Sequence, residues 1–185
     1  MTLDHAYRFI CDHLPYSDPG SFYGASAGLS LGAGLLYSNV RQPAFNSDTR
    51  LYRTIKTDAY VLTHECDADQ QNDRVFKDAV LVCPVIPLPN FLEGCTGHSN
   101  IHGFLAEIAA RQVHRLLYLP PIEPLKYGGM LYLNRITSVH VSTFSEPGTQ
   151  CIGAVAAKGL FEVDSALQNL LLREKAQRLT GMRVS

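Results

Sequence analysis

Between Tyr60 and Asp73 an apolar run, Tyr60-Val61-Leu62, breaks into a cluster of ionisable residues: His64, Glu65, Cys66, Asp67, Asp69 and Asp73. Strand ends hand side chains from a rigid sheet to solvent, so such a cluster is a natural place for a site. If the strand continues, His64 and Cys66 share a face while Glu65 points away. An imidazolium beside a thiol stabilises the thiolate and makes a nucleophile. Asp67, Asp69 and Asp73 offer hard oxygen ligands for a cation, although the glycine of a calcium loop is missing. The same residues also suit a solvated turn, with Asp67 and Asn72 bonding the backbone. In a hydrolytic version His64 is the general acid or base and Asp67 or Asp69 a metal ligand or carboxylate partner. An arginine, Arg53 or Arg135, then answers phosphate charge.

A second constellation is Cys95-x-x-His98-x-x-x-His102, which places two imidazoles one helical turn apart. Zinc accepts that donor set if a fourth ligand, Cys66 or His64, joins it. The overlapping strings Gly24-x-Ser26-x-Gly28 and Gly28-x-Ser30-x-Gly32 match a nucleophile elbow by letters, but no strand precedes them and no helix follows. Two basic groups, Arg41/Arg50/Arg53/Lys56 and Arg111/His114/Arg115, accompany tyrosines (Tyr37, Tyr52, Tyr60, Tyr118, Tyr127, Tyr132) that either stack on bases or fill cores.

The elements that must position these residues are mostly short. A helix is expected over 2–14, with Thr2 as cap and Leu3, Tyr7, Ile10 and Leu14 on one face. Residues 15–34 read as a Gly/Ser/Ala-rich connector anchored by Phe22 and Tyr23. Strands are expected at 35–40, 51–55, 58–63, 79–88, 114–119, 130–133, 136–144 and 151–157. A helix is expected over 99–111, capped by Ser99. A terminal helix over 161–185 is expected to start at a Ser165-x-x-Gln168 capping box, with Val163, Leu167, Leu170 and Leu171 on its apolar face. Strands without regular β-α-β alternation favour a curled antiparallel sheet over a doubly wound one.

The chain has 185 residues, 46% hydrophobic and 18% charged, with a formal net charge of −1. That suits one folded core and excludes a uniformly basic, nucleic-acid-coating surface, though not a local basic patch. No apolar run is long enough to span a membrane, and the first residues lack a secretory pattern. Five scattered cysteines argue for a reducing compartment, so a cytoplasmic location is expected.

The strand Ala59–Thr63 ending in a polar turn, the strand Val82–Leu88 with two prolines, and Gly129–Val139 as a glycine before a strand pair resemble the MazF/PemK family of small barrels. The chain resembles in particular a bacterial branch with Cys-Asp after a strand, here Cys66-Asp67. The resemblance implies an α+β fold built on a small antiparallel SH3-like β-barrel, residues 32–160, with an inserted helix and helices at both ends. It also implies an interaction module of a bacterial toxin–antitoxin or defence-type system, with the barrel mouth as its working surface and a protein, a nucleic acid or a second copy of the chain as partners. His64, Cys66, Asp67, Asp69, Asn72, Arg53 and Arg135 are the residues expected there. The alternatives are an endoribonuclease-like hydrolase at the same mouth and a zinc-stabilised structural protein. Where ribonucleases of the family have an Arg-Pro pair, this chain has Lys56-Thr57-Asp58. Where they have a hydroxyl after the strand proline, it has Val85 or Leu88. Their catalytic pair is therefore not carried over.

Overall fold

The computed structural model describes residues 1–14, 19–26, 28–46, 48–71 and 77–181, with side chains described up to residue 172. It is an α+β structure whose eight strands form one antiparallel sheet. The order is β1 (Tyr23–Gly24), β8 (Gln150–Val155), β2 (Leu35–Asn46), β3 (Leu51–Val61), β4 (Ala79–Pro87), β6 (Gly129–Tyr132) and β5 (Leu116–Leu119). The second half of β4 pairs with β6, and its first half pairs on the same side with β7 (Thr137–His140). The strand path is open, running from β1 to β5. The helices are α1 (Leu3–His13), α2 (Glu65–Ala68), α3 (Leu88–Gly94), α4 (Ile101–Ala109) and α5 (Ala157–Gly181).

Three apolar clusters explain why the strands read as continuous apolar runs, because both faces of the sheet are covered. Alternate residues feed different cores. Leu117, Leu119 and Leu131 join Tyr60, Cys83 and Val85 beneath α5, while Leu116, Tyr118 and Met130 pack against α1, α3 and α4. A third cluster, on Ala59, Val61, Val80 and Val82, is plugged by Ala68 of α2. Each buried leucine or valine contributes roughly 1.5–3 kcal/mol of transfer free energy. In α1, Thr2 caps the start and the predicted face packs inward, with Ile10 fully buried and Leu3, Tyr7 and Leu14 against the same core. Ala6, outside the predicted face, is fully buried too. Phe22 is buried and the Tyr23 hydroxyl donates to the Pro120 carbonyl at 2.7 Å, so the expected anchors hold the connector.

Several sequence expectations are corrected. Residues 51–55 and 58–61 belong to one strand, β3, paired with β2 as a long hairpin, and the expected strand end at 62–63 lies outside it. Pro87 ends β4 by capping α3, a helix that the proline-broken run concealed, since proline is well tolerated at a helix start. The cap of α4 is Asn100, whose Oδ1 accepts from the Gly103 N–H at 2.9 Å, rather than Ser99. The terminal helix starts at Ala157, so Ser165 and Gln168 lie inside it and form no capping box. Val163 is buried and Leu167 and Leu170 pack on the core, but Leu171 is exposed. Arg111 ion-pairs with Glu162 of α5, which ties the helix down and removes one cation from that basic group.

The β2–β3 hairpin carries the most consequential departure. β8 pairs with β2 only over Leu35–Ser38, and β4 pairs with β3 only over Asp58–Val61. Between them the register shifts, and Asn39 adopts φ 56°. Its N–H donates to Asp58 Oδ1 at 3.4 Å and its side chain to the Gly148 carbonyl at 3.1 Å. This bulge bends the strand where its neighbour leaves. Beyond it, residues 40–46 and 51–57 form a two-stranded arm. Arg41, Pro43, Arg53 and Lys56 along it discourage edge-to-edge pairing.

Candidate functional site

The strand ends at Val61, and the expected His64/Cys66 face does not exist, because the chain turns into α2. His64 is the N-cap of that short helix, and its Nδ1 accepts from the Cys66 backbone N–H at 3.3 Å. The lone pair that would accept a thiol proton is directed at the backbone. Asp69 Oδ1 accepts from the Gln71 N–H at 2.9 Å, and Thr63 Oγ1 accepts from the Leu81 N–H at 2.6 Å. Gln70 donates to the Lys77 carbonyl at 2.8 Å, and Lys77 Nζ returns a bond to the Gln70 carbonyl at 3.0 Å. Asp67 is exposed on the outside of the turn. The cluster therefore serves largely as turn and cap chemistry.

The turn also divides the cluster between two cavities. Cys66 and Asp69 line an open groove of about 760 Å³ with Ser30, Tyr37 and Phe144. His64 lines a separate cavity of about 350 Å³ on the α5 side. Glu65 alone borders both. The nucleophile pair is thus not assembled. Asn72 and Asp73 lie outside the described residues.

The trio of Cys95, His98 and His102 does not form a metal centre either. Cys95 ends α3, where burial pushes its thiol pKa up. His98 stacks on Phe104 with centroids 4.9 Å apart, and its Nδ1 accepts from the Asn100 N–H at 3.3 Å. His102 turns toward α1, edge-on to His5 at 5.3 Å and Phe9 at 5.4 Å. Among the described residues no three His, Cys, Asp or Glu side chains converge as metal ligands.

Arg135 belongs to a different place, a cleft of about 480 Å³ between the hairpin arm and the segment linking β6 to β7. Ile55, Pro84 and Ile86 supply apolar lining, and Gln42, Asn134 and Thr137 supply polar groups. The Arg135 guanidinium lies over the Tyr132 ring, 5.4 Å from its centroid, which holds a charge at the rim. Phe45 and Tyr52 meet edge-on at 5.3 Å and are 56% and 75% exposed. Leu51 beside them is 66% exposed. Arg53 sits on the arm opposite Ala44.

Gln42 is the least expected member. It is 2% exposed, yet its Nε2 has no hydrogen-bond partner among the described residues. A buried amide donor left unpaired costs roughly 1–3 kcal/mol. The only sequence signal for it is period two, since Val40, Gln42 and Ala44 share one strand face. The tyrosines divide in the same way. Tyr60 and Tyr118 are core residues, while Tyr52 is offered to solvent.

The cysteines separate by burial. Cys83 lies inside the main core, where burial pushes its thiol up to about 12 and its Sγ donates to the Tyr132 carbonyl at 2.9 Å. Asp58, half-buried at the bulge, is raised above the usual aspartate range by burial, with the Asn39 N–H opposing the shift.

No family model matches this sequence, and no curated protein matches it.

Proposed function

We infer that this chain is an interaction module of the MazF/PemK-like small-barrel class whose arm cleft holds a single-stranded nucleic acid. The observation that carries this reading is the composition of the arm. Residues 41–56 hold four cations (Arg41, Arg50, Arg53, Lys56) against one acid, Asp48, on a chain whose net charge is −1. Arg41 is tied to Glu146 at 2.8 Å, and Arg135 lines the same cleft as the exposed aromatic pair Phe45 and Tyr52. Cations follow a phosphate backbone and aromatic rings stack on bases, a combination that single strands recognise and duplexes do not. The unpaired Gln42 amide lies where a base edge can accept from it.

The curled sheet, with β4 shared by β3 on one edge and β6 and β7 on the other, supports the barrel part of the reading. The reading is one of binding rather than cleavage. Asp58 faces Val85 across β3 and β4, a pair without the arginine and hydroxyl of the family's ribonucleases. The resemblance further places the module in a bacterial toxin–antitoxin or defence-type system, where the bound strand and a partner protein would compete or cooperate.

The test is fluorescence anisotropy with labelled 12-nucleotide single-stranded RNA and DNA, and a duplex of the same sequence. Saturable binding of a single strand that weakens with salt and in Tyr52→Ala is expected. Equal binding by Tyr52→Ala and Arg135→Ala overturns the reading. RNA integrity after incubation tests the hydrolase alternative, which predicts cleavage lost in His64→Ala.

A further inference from the structure

In the arm cleft one polar side chain stands where the protein gives it nothing to bond. Gln42 lies on β2 beyond the Asn39 bulge, opposite Ile55 of β3. Val40, two residues back on the same strand face, is sealed in the third core. Pro84 and Ile86 of β4 line the cleft together with Ile55. Gln42 is thus set among hydrocarbon, 2% exposed, and its Nε2 has no hydrogen-bond partner among the described residues. A buried amide donor is ordinarily satisfied, and one that is not destabilises the fold. Methionine would fill the same volume without that penalty. Glutamine makes physical sense here if a ligand brings the missing acceptor.

The other groups of the cleft divide the work on a single strand. Arg135 lies at the rim, where a phosphate passes, and the exposed rings of Phe45 and Tyr52 offer flat faces for stacking. Neither contact distinguishes one base from another, because every nucleotide has a phosphate and every base a π face. Gln42 is the group in the cleft that can meet a base at its edge.

An enclosed donor discriminates between bases. On the edge remote from the sugar, uracil, thymine and guanine carry an exocyclic oxygen, whereas cytosine and adenine carry an amino group. The oxygen accepts from Nε2–H. The amino group sets donor against donor and leaves both unpaired in an apolar setting. The terminal torsion of a glutamine is soft, so the amide can turn its N–H to the base without a rotamer change along the stem.

We propose that the arm cleft selects keto bases, uracil or thymine and guanine, and that Gln42 is the specificity-determining residue, its Nε2–H donating to the exocyclic oxygen. This rests on the single-strand reading above and adds base identity to it.

Fluorescence anisotropy of the full chain with labelled 12-nucleotide homopolymers tests it. Oligouridylate against oligocytidylate compares rings of one size that differ at the exocyclic group, and oligoinosinate against oligoadenylate does the same for purines. The keto member of each pair should bind about tenfold tighter, the scale of one buried hydrogen bond made rather than lost. Gln42→Met removes the donor and should bring the members of each pair to within about twofold. The same variant should raise the melting temperature of the free chain by about 2–4 °C, since it relieves an unpaired buried donor. A glutamine that merely supported the fold would lower it. Equal binding within both pairs by the parent chain, or preference for the amino member, overturns the base selection while single-strand binding stands. A pair preference that survives in Gln42→Met, or a lower melting temperature in that variant, overturns the role of Gln42. Absence of binding to all four strands removes the single-strand reading and this inference with it.

Discussion

The α2 turn and the hairpin-arm cleft both concentrate polar residues, and they use them in opposite ways. In the turn, His64, Asp69, Thr63 and Gln70 each bond to a nearby main chain, so their hydrogen-bonding capacity closes a tight corner over the third core. In the cleft, Gln42 is buried with a donor that is unpaired among the described residues, Phe45 and Tyr52 stand in solvent, and Arg135 rests on an aromatic face. The lesson is that the density of reactive residue types is a poor guide to a site. What matters is whether the backbone already uses them.

The largest expected effect tests this contrast directly. Tyr52→Ala combined with Arg135→Ala should lower single-strand affinity by about a hundredfold, since a stacked base is worth roughly 1–3 kcal/mol and a phosphate contact adds to it. Asp67→Ala should stay within about twofold. An anisotropy titration in which the α2 variant loses more affinity than the arm variant would reverse the assignment of the two regions.

A second effect sharpens it. Removing Arg53 should flatten the dependence of log affinity on log salt by about 0.7, the share of one phosphate on a single strand. An unchanged slope would take Arg53 out of the interface.

The turn has its own signature. His64→Ala removes an N-cap acceptor and should lower unfolding stability by roughly 0.5–2 kcal/mol in urea while leaving single-strand affinity alone. Loss of binding without loss of stability would return His64 to a functional role.

The smallest effect lies at the bulge that sets the arm apart. Burial raises the Asp58 pKa above its ordinary 3.8 in the folded state. As pH climbs past that value the unfolded chain ionises first, so folded Asp58 holds the extra proton and stability falls until the raised pKa is passed. Asp58→Asn removes this loss while keeping an oxygen for the Asn39 N–H. It should melt at a higher temperature than the parent near neutral pH and at the same temperature near about pH 3. A difference that persists in acid would trace the effect to packing instead.

Much of the scaffold was legible in the residues. The Thr2 cap and the Leu3, Tyr7, Ile10 and Leu14 face specify α1, and the apolar runs of Val82–Val85, Leu116–Leu119 and Gly129–Leu131 specify strands because each is covered on both faces. Boundaries were less legible where a residue type serves two ends. Pro87 reads as a strand terminator and is also a good helix start, so α3 stayed hidden. Ser165-x-x-Gln168 has the letters of a capping box but falls within a helix that begins eight residues earlier.

The site was legible in one half only. Arg53 and Arg135 could be flagged as cations, and Tyr52 as an aromatic, from residue type alone. Gln42 could not, because an unpaired amide is a property of what surrounds it.

By itself, the sequence determined which segments are apolar enough to be covered, where helices can be capped and that residues 41–56 are locally basic. Tertiary structure decided that the His64–Asp69 cluster closes a corner while the arm leaves the sheet's strand pairing and borders a cleft. The reason is geometric: Asn39, a residue type that tolerates the left-handed conformation, is held in it by bonds to Asp58 and Gly148, and β2 and β3 part from their neighbours at that bulge. Whether a polar atom is used up or left for a ligand depends on which strand lies beside it, and no local pattern of residues contains that information.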